Sequence, residues 1–255
     1  MRLPIITATA LVAASVATAQ ASSIALVDPA LVDVAPDSTV ADFRYRLSNT
    51  NWDIGVAPAG DPIGGFQQVN AGNNGALSGN TYAFSLSHAA GTGYTFEFFD
   101  VNGADRTVSF TTADGVRNDV AATDAFNTIS IGPSARTTNQ SGAASSVQLS
   151  NLNFSSTDLG ADIDIPDFGS SAVQGGAQDG LVEQFLVSDH NLALVDWALT
   201  GNATLSRSVF NNTDERVKLD IKTRSATVVP LPAAAPLLLG GLAALGLLRR
   251  RRPAA

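Results

Sequence analysis

The sequence predicts an all-β fold, an antiparallel β-sandwich, on three observations. Apolar residues alternate with polar ones at period 2, as in Phe43, Tyr45 and Leu47 against Asp42, Arg44 and Arg46. Two such runs flank Asn102-Gly103: Tyr94, Phe96 and Phe98 before it, Val108 and Phe110 after it. Asn-Gly supplies the two positive φ angles that a two-residue hairpin turn requires. Third, outside the two ends of the chain no window sustains the 3.6-residue period of an amphipathic helix. Many short strands separated by turns argue for a sandwich.

In chain order, Met1-Arg2 and the alanine-rich run Leu3 to Val16 precede the small-x-small triplets Ala17-Thr18-Ala19 and Ala19-Gln20-Ala21. The run is too short to anchor and ends at a cleavage site, so residues 1–21 read as a secretory signal peptide and the mature chain starts near Ser22. A β-sandwich domain is then expected over 22–227. After the strand at Phe43 to Leu47, the glycine density from Thr50 to Gly79 predicts a long loop or loosely paired ribbon. Tyr82, Phe84 and Leu86 form the next alternating run, and the Asn102-Gly103 hairpin follows. Phe126 to Ile131 reads as a short strand ended by Gly132-Pro133, and Thr137 to Ser146 as a loop. Val147 and Leu149 share one phase while Leu152 and Phe154 share the other, which places a bulge at Ser150-Asn151. Asp158 to Gly180 reads as a further loop. A meander closes the domain: Glu183 to Val187, Leu192 to Leu199, Ala203 to Phe210, and Val217, Leu219 and Ile221 alternating with Lys218, Asp220 and Lys222.

Residues 228–255 are of a different kind. Val229-Pro230-Leu231-Pro232-Ala233 leads into 16 residues without a charged or polar side chain, Ala233 to Leu248, and then into Arg249, Arg250, Arg251 and Arg252. At ~1.5 Å per residue the apolar run predicts a transmembrane helix of ~24 Å over 233–248, a little short of a ~30 Å hydrocarbon core. Snorkelling arginines would close much of the gap and hold the C-terminal end cytoplasmic, leaving the domain outside. The two prolines keep the preceding strand extended and open to a peptidase. This order of motif, short apolar helix, arginine cluster and chain end resembles the PEP-CTERM sorting signals, in the variant named for VPLPA. The resemblance implies an exosortase-type transpeptidase as partner, recognition at Val229, Pro230, Leu231, Pro232 and Ala233, and an extracellular polysaccharide setting in a Gram-negative bacterium. A plain membrane anchor, kept uncut, is the alternative.

Composition excludes several classes. The chain has 255 residues, a net charge of −8 and no cysteine. Five of its 15 basic residues are Arg2 and Arg249 to Arg252, which leaves 10 basic against 23 acidic residues between them, a net of −13. Such a surface repels nucleic acid, so no nucleic-acid partner is expected. Without cysteines the fold must rest on its core alone. No catalytic elbow, zinc helix, phosphate loop or dinucleotide fingerprint occurs, so no enzyme and no cofactor are expected.

The remaining chemistry-bearing residues are few. His190 in Ser188-Asp189-His190-Asn191 reads as a hairpin turn between apolar strands. Trp197 reads as core, and Trp52, in the glycine-rich stretch, as the better candidate for a sugar-binding surface. Asp158, Asp162, Asp164 and Asp167 invite a calcium reading, but their spacing matches no calcium loop and no metal site is expected. The middle region broadly resembles the choice-of-anchor β domains, a family without a defined activity. The expectation is therefore a non-enzymatic exported surface or matrix protein, inner-membrane bound in transit. A carbohydrate-binding module or adhesin using Asn51 to Gly79 is the alternative.

Overall fold

The structure, a computed structural model, describes residues 23–47, 51–72, 77–135, 144–173, 182–208 and 217–228. Seven strands come first: β1 (Ile24–Val27), β2 (Val32–Leu47), β3 (Asn51–Pro58), β4 (Gln67–Gly72), β5 (Thr81–Ala89), β6 (Gly93–Val101) and β7 (Ala104–Thr111). Seven more follow: β8 (Thr128–Ser134), β9 (Ala144–Ser156), β10 (Ala161–Ile165), β11 (Phe168–Val173), β12 (Gln184–Ser188), β13 (Trp197–Arg207) and β14 (Val217–Val228). All pairings are antiparallel. The first sheet runs β1-β12-β8-β14-β2-β3-β4 and the second β10-β9-β13-β5-β6-β7, with β11 beside β10 on the same edge of β9. The signal peptide (1–21), the sorting motif (229–233), the transmembrane helix (233–248) and Arg249 to Arg252 all lie outside the described residues. Among the described residues no helix is long and apolar enough to cross a membrane.

The two sheets face each other across one core, the arrangement of a β-sandwich. Alternation makes the core: Phe43, Tyr45 and Leu47 of β2 point in, and so do Tyr94, Phe96 and Phe98 of β6. Their rings meet between the sheets, Phe43 against Tyr94 (5.2 Å) and Phe96 (5.9 Å), Tyr45 against Phe98 (4.2 Å). A fully buried ring of this kind contributes roughly 1.5–3 kcal/mol. Between β6 and β7, Asn102 (φ 54°) and Gly103 (φ 76°) form the expected hairpin turn. Asn151 adopts φ 52° where β9 slips register against β13, and this is the expected bulge. Gly201 sits opposite it because a Cβ there would lie 2.4 Å from Leu152 Cδ2.

Several expectations need correction. The stretch from Thr50 to Gly79 is not mainly loop: β3 lies inside the first sheet between β2 and β4. Trp52 to Pro58 are buried without interruption, and the alternation of Trp52, Ile54 and Val56 with Asp53, Gly55 and Ala57 was masked by the glycines and prolines that follow it. At Gly55 the glycine is a packing requirement, since a Cβ would come within 2.1 Å of Ile63 Cγ2. β8 continues through Gly132-Pro133 rather than ending there; β12 pairs only with Thr128 to Ile131, so the proline has an edge position that sheets tolerate. Asp158 to Gly180 contains β10 and β11, broken at Pro166-Asp167. The last third is not a meander. β12 and β14 belong to the first sheet and β13 to the second, so the chain crosses the core at each connection. The break expected between Leu199 and Ala203 is absent: β13 is one strand that runs through Gly201, opposite the bulge in β9.

A cleft at one end of the second sheet

A depression of about 770 Å³ opens where β5 ends and β13 begins. His88 and Ala89 line it from β5, Trp197 and Ala198 from β13, Asn153, Ser155 and Ser156 from β9, and Ala161 and Asp162 from β10. The turn from β9 to β10 needs Gly160 at φ 58° and closes with the Gly160 N–H on Thr157 O at 3.1 Å. Its Asp158 carboxylate then accepts from Asp196 N–H at 2.8 Å, while the Ser156 hydroxyl donates to Asp196 O at 2.6 Å. The Asp196 carboxylate in turn accepts from Ala90 N–H at 2.7 Å. Backbone and side chain of Asp196 are thus tied to two other walls, which fixes the shape of the cleft.

Beneath it lies an aromatic stack. Trp197 packs against His88 on one side (5.5 Å, 14°) and Phe154 on the other (6.0 Å, 29°). Both Trp197 and His88 are 3% exposed. His88 Nδ1 lies 3.0 Å from Val195 O, and since a carbonyl only accepts, Nδ1 carries the proton. Burial holds the His88 pKa below the usual histidine value, so the ring is neutral near neutral pH and its Nε2 keeps a free lone pair. That Nε2 and Trp197 Nε1 are both sealed from solvent without a partner.

The outer faces of the sheets differ in charge. On the first sheet Arg44 and Arg46 of β2 both bond the Asp53 carboxylate of β3, at 3.0 and 2.8 Å to the two Nε atoms, and Asp53 is buried. Lys218 pairs with Asp220, and Lys222 with Asp42 at 3.4 Å. Burial, and then the charge of Asp220, push the Asp42 pKa up to about 6, while Lys222 and Lys218 pull the other way. The second sheet is free of cations on its outer face. Among its described residues only Arg106 and Arg207 are basic, and their registers place them with the inward-facing Phe98 and Leu205. Short side chains cover that face in cross-strand rows, such as Asp162-Ser155-Ala198-Ser87-Thr95-Ser109.

The sequence-derived candidates are distributed as follows. Trp52 is not on a surface: it is fully buried, paired with Leu47, its ring 5.9 Å from the Arg106 guanidinium. The sugar-binding reading placed on it is therefore withdrawn. Trp197 is core, as expected. His190 lies in a bend, but between sheets rather than in a hairpin, and its Nε2 is 3.6 Å from Asp189 Oδ1. The four aspartates do not converge. Asp158 and Asp167 cap backbone N–H groups, while Asp162 and Asp164 share the Asn153 amide (2.8 and 3.1 Å). Among the described residues no three His, Cys, Asp or Glu side chains form a metal-holding group. No local signal in the sequence marks the cleft, because it is assembled from β5, the β9–β10 pair and β13, three stretches distant in sequence. Comparison with models of known protein families and with curated proteins finds no match for this chain.

Proposed function

We propose that this chain is an exported, non-enzymatic surface or extracellular-matrix protein, carried to the membrane by residues 228–255 and processed there by an exosortase-type transpeptidase. The observation that carries the reading is the order Val229-Pro-Leu-Pro-Ala233, apolar Ala233 to Leu248, Arg249 to Arg252. The fold is compatible with a tether at that point. β14, the last described strand, is held by β8 on one side and β2 on the other, so a pull on the tail is borne in shear by two ladders. Ser23, the first described residue, exchanges backbone and side-chain hydrogen bonds with Asp189 (3.0 and 3.2 Å). Asp189 borders the same depression as Ser225 of β14, so both ends of the described body emerge at one end of the sandwich.

The non-enzymatic part of the reading is supported by the histidines. His88 Nε2 is sealed from solvent. Beside His190, the Ser188 hydroxyl accepts the His190 backbone N–H at 3.0 Å, so Ser-Asp-His makes a turn rather than a relay.

Mass spectrometry of the mature C-terminus tests the proposal. Processing predicts a surface form lacking Arg249 to Arg252, and its loss in the Pro230→Ala/Pro232→Ala variant, which should accumulate uncut in the inner membrane. Alanine suits a helix better than proline, so insertion is unaffected. Neutral residues at 249–252 should instead remove the charge that stops export. Arginines still attached to wild-type protein at the cell surface would overturn the sorting reading in favour of a plain anchor.

A further inference from the structure

We propose that the cleft formed by Asn153, Ser155, Asp162, Asp196, Trp197 and Ala198 binds a short stretch of a neutral saccharide chain. Its volume, about 770 Å³, falls within the range of ligand sites, roughly 300–1,000 Å³. Its walls are held in place before any ligand arrives by three hydrogen bonds that tie Asp196 to the end of β9 and its turn and to the end of β5. Such preorganisation lowers the entropic cost of binding.

The lining decides the ligand class. It combines carbon surface, from Ala198 and the Trp197 ring, with acceptors and small hydroxyls, and it contains no cation. An anionic ligand is therefore repelled. A point cation is disfavoured for a different reason: the carboxylates do not converge. Asp162 stands opposite Ser155 and Ser155 opposite Ala198, so Asp162 and the β13 entry are two strands apart, about 10 Å at ~4.8 Å per strand. Each carboxylate already accepts one neutral N–H, Asp162 from Asn153 and Asp196 from Ala90. Each keeps acceptor capacity, because an ionised carboxylate has about four lone-pair sites. Separated acceptors over a partly apolar floor suit a chain of hydroxyl donors with C–H faces. Both faces of Trp197 are already covered by His88 and Phe154, so its contribution is the ring edge rather than a stacking platform.

The chain contains two tryptophans, which supply a built-in readout. Trp197 lies at the cleft, and Trp52 is buried in the first sheet. The full chain in detergent, labelled with 15N-tryptophan, is titrated with neutral tetrasaccharides (β-1,4-glucan, α-1,4-glucan and β-1,4-mannan), with tetragalacturonate, with a chitosan tetramer and with calcium alone. At least one neutral tetrasaccharide should shift the Trp197 indole signal saturably and leave that of Trp52 in place. Tetragalacturonate should bind at least about tenfold more weakly. Ala198→Arg, which projects a long side chain into the cleft, should weaken the neutral ligand at least about tenfold, with the Trp52 signal certifying the fold. Failure of every neutral tetrasaccharide to move the Trp197 signal overturns the proposal. So do a stronger response to the chitosan tetramer that Asp162→Asn abolishes, or a Trp197 shift on calcium alone.

Discussion

Replacing Asp53 tests how the first sheet tolerates charge inside it. Asp53 is 2% exposed and its carboxylate bonds Arg44 Nε at 3.0 Å and Arg46 Nε at 2.8 Å, with the two arginine side chains 15% and 12% exposed. Asp53→Ala leaves two largely desolvated cations side by side without their shared partner. Breaking such a group by deleting one member costs about 3–5 kcal/mol, much more than an exposed ion pair is worth. For a domain of 150–250 residues a change of 1 kcal/mol moves Tm by about 2–4 °C, so a fall of at least 6 °C is expected. The assay is thermal and urea unfolding followed by far-UV circular dichroism on the purified protein. A compensated variant, Arg44→Met/Arg46→Met/Asp53→Leu, should recover most of the loss, because apolar residues of similar volume need no desolvation of charge. A Tm within about 2 °C of wild type for Asp53→Ala would refute the reasoning. It would mean that water reaches the arginines, and that the triad is a surface network.

Asp42 gives a pH dependence of defined sign. Its pKa is raised from 3.8 to about 6 by burial and then by Asp220, so the folded state favours the protonated form. That contribution is complete below about pH 4 and is lost as pH rises through 6, an effect bounded by about 3 kcal/mol at 1.36 kcal/mol per pH unit. Wild type minus Asp42→Asn stability, measured by urea unfolding from pH 4 to 7, should therefore fall with rising pH; a flat difference would contradict the burial of this carboxyl. Gly201→Ala should cost about 1–3 kcal/mol, since its Cβ would meet Leu152 Cδ2 at 2.4 Å and the Phe84 ring at 3.2 Å. Ala203→Gly, two residues along the same strand, makes a poor match in mechanism but a useful control: it creates space instead of a clash, and should lose less than the Gly201 variant in the same unfolding assay.

Much of the fold was legible wherever one side of a strand faces solvent. Phe43-Tyr45-Leu47 and Tyr82-Phe84-Leu86 alternate because the opposite residues stay at least partly in water, and Val217-Leu219-Ile221 because Lys218, Asp220 and Lys222 form ion pairs on the outer face. The Asn102-Gly103 turn was legible because positive φ at two successive positions restricts residue type. The bulge at Asn151 was legible because one extra residue flips the phase of every side chain after it. Those signals are local, and so is the tail, whose charge and apolar length are properties of consecutive residues.

Tertiary structure decided the rest. β3 and β8 are covered on both sides, so Trp52 to Pro58 and Thr128 to Pro133 are buried throughout; the apolar phase Trp52-Ile54-Val56 is present, but the glycines and prolines around it read as loop, and only the contact with Ile63 marks Gly55 as a close-packing position. Sheet membership was also hidden, because the residues that turn the chain at Asp189 and His190 look alike whether the next strand pairs beside the last or crosses the core. Trp52 shows the consequence most plainly: a tryptophan among glycines and asparagines suggested a surface, and the neighbouring strand buried it. The cleft depends on Asp162 standing opposite Ser155, and Ser155 opposite Ala198, pairs separated by 7 and 43 positions. No periodicity in the chain encodes that register, which follows from hydrogen-bonded strand pairing around a common core.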